Sequence, residues 1–419
     1  MRASSVKHAR ARLATATARV DPVVLVALLA AAVALWLAVK GRPLADWNLE
    51  ARPSVDALLA GHLDAFFRLA PAYGGSLLLR APWMALGRLA GGGRASDYVA
   101  GVLPCVLAAV VLALWLSVQL RRRGQRIGFR AAAVAVCVSG PIGIIAIQQG
   151  HPEELLGAVL CAAAVLCAER ERAVWSGVLV GLAIANKEWG LLAAGPVLVA
   201  LPRERGRAFA AMIATAGAVL APFLLVRAGG FVGQTEAVAL HSASIFGPLQ
   251  LWWFLGAPAH GGARIAPAWL GGLGHTLPIA LMVPLTLLYG RRTRRNPARR
   301  GRDATLLLAL LLLLRCALDP WDVVYYPAPF LMALLAWETT TQEHPPLLSI
   351  AAPLVTWYVF QGLTYPFTVG QDATGGIFAV VTIGAIGAIG RRLFGRPRAR
   401  PARGVPQSRR TAVPEAAAR

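Results

Sequence analysis

The chain has 419 residues, of which 57% are hydrophobic and only 15% charged, and its mean hydropathy is positive. A soluble protein of this length would divide into domains with a larger polar surface, so the composition excludes one. The formal charge of +22 does not point to nucleic acid, because Lys and Arg gather in short runs between apolar blocks, with no aromatic interleaving or DNA-binding motif beside them.

Apolar blocks of roughly 15–22 residues recur along the chain, the length that crosses ~30 Å of hydrocarbon. They predict an all-α, polytopic membrane helix bundle of about twelve transmembrane helices with both termini cytoplasmic. Residues 1–19 form a basic cytoplasmic N-terminus with Arg2, Lys7, Arg10, Arg12 and Arg19 and no acid. The run Val23–Val39 is long for a signal-peptide core and lacks a cleavage site, so it reads as an uncleaved anchor that puts the first loop, 40–97, outside. Within that loop, Ser54–Leu69 has helical spacing of apolar residues, and Ser76–Leu89 is apolar but broken by Arg80, Pro82 and Arg88. Interfacial helices suit both.

Further spans are expected near Val99–Leu120, Ala131–Ile147, Glu154–Ala168, Val174–Ala185, Leu191–Leu201 and Ala208–Val226. Others follow near Thr276–Tyr289, Ala304–Leu318, Tyr326–Trp337, Leu347–Leu363 and Gly375–Ile389, and Leu249–Leu255 reads as an interfacial or re-entrant piece. The transmembrane domain is thus 20–390, followed by a basic, disordered cytoplasmic tail, 391–419. This threading places 31 of the 42 basic residues inside, as the insertion bias requires. Cys105, Cys137, Cys161, Cys167 and Cys316 all fall in predicted spans and read as small buried residues.

Charge near a bilayer is costly, so its clustering on one side is the best functional clue. Four outer segments contribute: Asp46 to Glu50, continuing to Asp56 and His62; Gln148 to Glu154; Asn186 to Trp189; and Arg315 with Asp319, Asp322, Tyr325 and Tyr326. A carboxylate accepts the proton of a sugar hydroxyl attacking an anomeric carbon, and fixed cations meet the charge of a phosphate leaving group. Asp46 is the candidate base; Lys187, His151, Glu153, Arg315, Asp319, Asp322 and Tyr325 are candidate substrate contacts. Structural alternatives stand beside these. Asp56 and Asp64 fit a solvated helix face, Glu153 and Glu154 suit a helix start, and Lys187 fits a local ion pair. His151 fits a structural histidine, and Tyr325, Tyr326, Trp252, Trp253 and Trp321 fit an interfacial aromatic belt. No phosphate-binding loop, dinucleotide fingerprint or His/Cys metal spacing stands out, although the outer carboxylates leave a divalent cation open.

At these residues the chain resembles the GT-C superfamily of polytopic glycosyltransferases, nearest the polyprenol-phosphate-mannose-dependent α-(1→2)-mannosyltransferase-like proteins. The resemblance, over roughly 20–225, rests on Asp46 followed by Asp56-Ala-Leu-Leu-Ala-Gly61, on Gln149-Gly-His151-Pro-Glu153-Glu154-Leu-Leu, and on Gly181-Leu-Ala-Ile-Ala-Asn-Lys187. It implies an inverting transferase with Asp46 as general base, a donor-phosphate role for Lys187 and a lipid-linked sugar in place of a cofactor. The implied partners are a polyprenyl-phosphate hexose (mannose in the resembling group), a glycan or glycolipid acceptor of the cell envelope, and membrane lipids. The site would face the extracytoplasmic side of the plasma membrane. This chain departs from the family pattern where His151 and Glu153 replace amides and where Glu188-Trp189-Gly190 follows the Lys. A multi-span transporter or lipid flippase, and a non-catalytic envelope-assembly protein, are the rival readings; the first lacks a visible internal repeat, and the long acidic first loop fits an enzyme better.

Overall fold

A computed structural model describes residues 21–40, 46–91, 94–241, 247–259, 264–294, 296–320, 323–363 and 370–395; the basic N-terminus 1–19 and the tail beyond 395 lie outside the described residues. Helix α1 (Pro22–Lys40) shows how these helices pack. Its buried stripe is Val23, Ala27, Ala30, Ala34 and Ala38, at helical spacing, while Leu25, Leu28, Leu29 and Trp36 point outward, each more than half exposed. Small residues let α1 lie close against α5 (Arg94–Arg122) and α6 (Ile127–Ser139), and the large apolar ones face lipid.

Between α1 and α5 the first loop folds into three helices, α2 (Arg52–Leu59), α3 (Leu63–Leu69) and α4 (Gly74–Leu89), at the positions expected for interfacial pieces. The charges that interrupt α4 fasten it. Arg88 bonds Asp56 at 2.8 Å and Asp97 at 2.6 Å, so Asp56 is an ion-pair partner rather than a member of a solvated face.

Helix α6 continues, after a break at Gly140-Pro141, into α7 (Pro141–Gln149). Then come α8 (Pro152–Ala168), α9 (Ala173–Asn186), a 3-10 turn at Glu188–Ala193 leading into α10 (Ala194–Ala200), and α11 (Arg205–His241). Helix α9 lies on α11 with backbone nearly touching backbone. A Cβ on Gly177 would fall 2.1 Å from the Ala208 carbonyl, and one on Gly181 2.7 Å from that of Met212. Downstream are α12 (Ala268–Thr293), α13 (Pro297–Arg302), α14 (Ala304–Leu318), α15 (Ala328–Thr341), α16 (Leu347–Trp357) with a π-helical end at Tyr358–Gly362, and α17 (Gln371–Phe394). The exception to helix among the described residues is an antiparallel pair of two-residue strands, β1 (Ala257–Pro258) and β2 (Arg264–Ile265), just after the Leu249–Leu255 piece.

A helix stands at each of the twelve predicted apolar segments. Among the described residues, five are long and apolar enough, by length and composition, to cross a membrane: Pro22–Lys40, Ser96–Arg122, Ile127–Gln149, Arg205–Val226 and Gln371–Phe394. Most of the remainder are shorter, and the 26-residue α12 carries Pro278 and Pro284 within it. Helices α8, α14 and α15 are buried along nearly their whole length, so other helices rather than lipid supply their apolar surroundings. The result is a helical membrane bundle whose short central helices carry charged residues at their ends. At one end Asp21 accepts hydrogen bonds from Arg130 and, at 3.1 Å, from the Val23 amide, which hold its carboxyl below the usual carboxylate range. The opposite end holds the candidate site.

Candidate active site

Asp46 opens a π-helical turn, Trp47–Ala51, that feeds into α2. What fixes it is Trp47, which is buried against the edge of Tyr98 with ring centroids 5.0 Å apart. The turn between α7 and α8 makes room for this ring. Gly150 has φ +100°, a left-handed conformation that side chains disfavour, and a Cβ there would lie 2.9 Å from the Trp47 nitrogen. Glycine at this position therefore brings the start of the first loop down onto the start of α8.

The next residue, His151, meets Asp46. Its Nε2 lies 3.0 Å from Asp46 Oδ2 and its Nδ1 lies 2.7 Å from Glu153 Oε1. Two carboxylates around one ring favour a doubly protonated imidazolium that donates to both. Burial opposes that charge, but Glu153 and the two hydrogen bonds prevail and push the His151 pKa up to about 9. Glu153 is completely buried, whereas the Asp46 side chain is 42% exposed, so Asp46 is the accessible end of the chain.

Behind His151 the charges continue inward. Arg80 of α4 reaches Glu153 at 3.6 Å, and Asn186 donates to the Glu153 carbonyl at 2.8 Å. Lys187 is the extended residue that ends α9, and this conformation turns its side chain back across the bundle: Nζ lies 2.8 Å from Glu154 Oε1 and 3.9 Å from Glu153. Arg315, in the last turn of α14, reaches both Glu154 oxygens at 3.3 and 3.5 Å. Aromatic rings wall the cluster. Tyr325 stacks on His151 at 4.8 Å, and Tyr73 stands edge-on to it while donating to Glu50 at 2.9 Å. Arg315 lies between Trp189 and Tyr326, at 4.9 and 4.1 Å from their centroids.

Four acids (Asp46, Glu50, Glu153, Glu154) and four basic groups (His151, Arg80, Lys187, Arg315) are thus gathered at one end of an apolar bundle. Buried ion pairs seldom repay their desolvation cost in stability, so such a density of them makes this end of the bundle the candidate site. Among the described residues both Arg80 Nη atoms and Glu153 Oε2 lack a hydrogen-bond partner. No group of three or more His, Cys, Asp or Glu is placed among them to hold a metal ion.

Of the residues singled out in the sequence, Asp46, His151, Glu153, Lys187, Arg315 and Tyr325 are brought together here. Asp319 is buried just past α14, its amide bonded to the Arg315 carbonyl at 2.9 Å, and Asp322 and Trp321 lie outside the described residues. Lys187 pairs with Glu154 of another helix, not with its neighbour Glu188. The belt expectation fails for Trp253, Tyr325 and Tyr326. Trp253 is buried with its Nε1 on Asp372, and the tyrosines face His151 and Arg315. Sequence reading missed Arg80 and Tyr73 as members of the cluster; an arginine on the buried face of α4, in register with Leu77 and Met84, was the available signal.

Residues 75–315 match the model of glycosyltransferase family 87. The chain belongs to that family. It is accordingly a membrane glycosyltransferase of GT-C-like kind, with a sugar donor and an acceptor as substrates. The family 87 match spans Arg80, His151, Glu153, Glu154, Lys187 and Arg315, while Asp46 precedes it. Comparison with curated proteins found no match, and comparison with solved structures found none either.

Proposed function

We propose that this family 87 protein transfers a hexose, mannose by resemblance, from a polyprenyl phosphate to an extracytoplasmic glycan or glycolipid of the envelope. In this reading it crosses the plasma membrane twelve times, with Asp46 as the base on the outer side. The observation that carries it is the accessible Asp46 carboxylate, one oxygen of which is held by His151 at the mouth of a buried ionic cluster. The free oxygen accepts the proton of the acceptor hydroxyl as that oxygen bonds to the anomeric carbon. The bond from the anomeric carbon to the phosphate oxygen breaks from the opposite face, its electron pair leaving on the phosphate, so the configuration inverts. Lys187, 12% exposed and with N–H donors to spare beyond Glu154, meets that charge. Both His151 nitrogens are engaged by carboxylates, so its role is to position Asp46 rather than to bind phosphate. Arg315 likewise acts by holding Glu154, and through it Lys187.

The test is incubation of the purified protein with labelled polyprenyl-phosphate sugars and candidate acceptors. Asp46→Asn keeps an oxygen for His151 but no base, and is expected to lower transfer about 10²–10⁴-fold while the protein stays folded. Wild-type turnover in that variant removes Asp46 from the role, and lipid movement across vesicles without transfer would favour a flippase.

A further inference from the structure

The 17 residues of α8 separate His151 from Glu169, about 25 Å of helix rise, which puts the following turn at the end of the bundle away from Asp46. A hollow of about 490 Å³ opens there, lined by Glu169, Arg170, Arg300, Arg302, Thr340 and Thr341 among others. That volume lies within the ~300–1,000 Å³ of small-ligand sites.

Its charges are incompletely used. Arg300 is half-buried, held in place because its carbonyl accepts from Tyr289 at 2.9 Å, yet its guanidinium makes no hydrogen bond or ion pair among the described residues. Arg302 uses one donor on the Thr341 carbonyl at 2.6 Å, and Arg170 uses one on Leu166 at 2.8 Å while its guanidinium lies over the Trp115 ring at 4.3 Å, which leaves further N–H donors of each fork open. Arg123, outside the lining, is bonded to the Gln342 carbonyl at 2.5 Å; burial and the Arg302 charge together hold its pKa below the usual arginine range. Two acids share the lining, Glu169 and the solvent-exposed Glu171, against three arginines. Glu169 accepts from Thr305, and burial pushes its carboxyl up to about 7. Arginines that serve only the insertion bias are satisfied by water; here three of them line one cavity.

We propose that this hollow binds a phosphate-bearing anion, received by the open forks of Arg300, Arg302 and Arg170. Two sources offer that chemistry, an anionic phospholipid headgroup in the adjoining leaflet and a soluble phosphate. The site is remote from Asp46 and its readout is binding, so it stands apart from the transferase reading.

The full-length protein is reconstituted in phosphatidylcholine nanodiscs with and without phosphatidylglycerol, and the lipid retained after detergent exchange is counted by mass spectrometry. In parallel, inorganic phosphate is titrated against chloride at matched ionic strength, with the thermal midpoint as readout. Wild type is expected to retain phosphatidylglycerol over phosphatidylcholine, which identifies a headgroup, or to respond to phosphate alone, which identifies a soluble ligand. Arg300→Gln removes no internal contact and is expected to weaken binding about tenfold, with part recovered in Arg300→Lys. Indistinguishable behaviour of wild type and the Arg300→Gln/Arg302→Gln protein toward both probes overturns the proposal.

Discussion

Raising the pH is expected to loosen the Asp46 end of the bundle through His151. The imidazole is held between Asp46 and Glu153, and its pKa rises from an ordinary 6.5 to about 9 because Glu153 and the two hydrogen bonds outweigh the cost of burial. At 1.36 kcal/mol for each tenfold change in proton affinity, that difference corresponds to roughly 3 kcal/mol favouring the folded state. The folded-state value exceeds the unfolded one, so the contribution is complete below about pH 6.5 and disappears as the pH passes about 9. The assay is the thermal midpoint in detergent, followed by intrinsic fluorescence from pH 6 to 10, for wild type and for His151→Phe. Phenylalanine can keep the stack on Tyr325 but carries no proton, so the variant should start lower and lose the extra decline between pH 7 and 10. Parallel curves for the two proteins would refute the claim that a charged His151 holds the two carboxylates together.

Two further predictions concern the same end of the bundle. Glu154→Gln removes the counter-ion that Lys187 and Arg315 share, leaving Lys187 only the longer contact to Glu153, and should lower stability by about 3–5 kcal/mol. Adding Lys187→Met should recover part of that loss, and an unchanged midpoint in the single variant contradicts the pairing. Gly150→Ala places a Cβ against Trp47 at a backbone angle alanine disfavours, costing about 1–3 kcal/mol and displacing Asp46. Transfer should then fall more steeply than stability. A lowered midpoint with normal kcat would reject the positioning of Asp46 through Trp47.

Membrane thickness makes long apolar runs conspicuous, which is why a helix stands where each was expected, and ionisable residues next to such runs are conspicuous for the same reason. Asp46, His151, Glu153, Lys187 and Arg315 were visible on that ground. Their partners were not. Lys187 is followed by Glu188, yet its extended backbone sends it to Glu154, and no local pattern encodes that turn. Arg80 sits in a stretch that reads as interfacial, where an arginine ordinarily meets water; its burial depends on α8 lying behind it. Tyr325 reads both as a substrate contact and, with Tyr326, as a belt residue, because a ring with one polar tip suits a headgroup layer and a helix-lined pocket equally well. The two-residue strands β1 and β2 are too short for any alternation to show.

Arg80 also bears on the order in which this protein is assembled. Its counter-ion, Glu153, is made more than seventy residues later, and Asp97, which helps anchor Arg88, follows α4 in the chain. A nascent chain that has not yet reached α8 can therefore only leave α4 hydrated, because an unpaired guanidinium resists dehydration. The first loop is synthesised early but locked late, and Asp46 gains its imidazole neighbour only when the stretch containing Glu153 emerges.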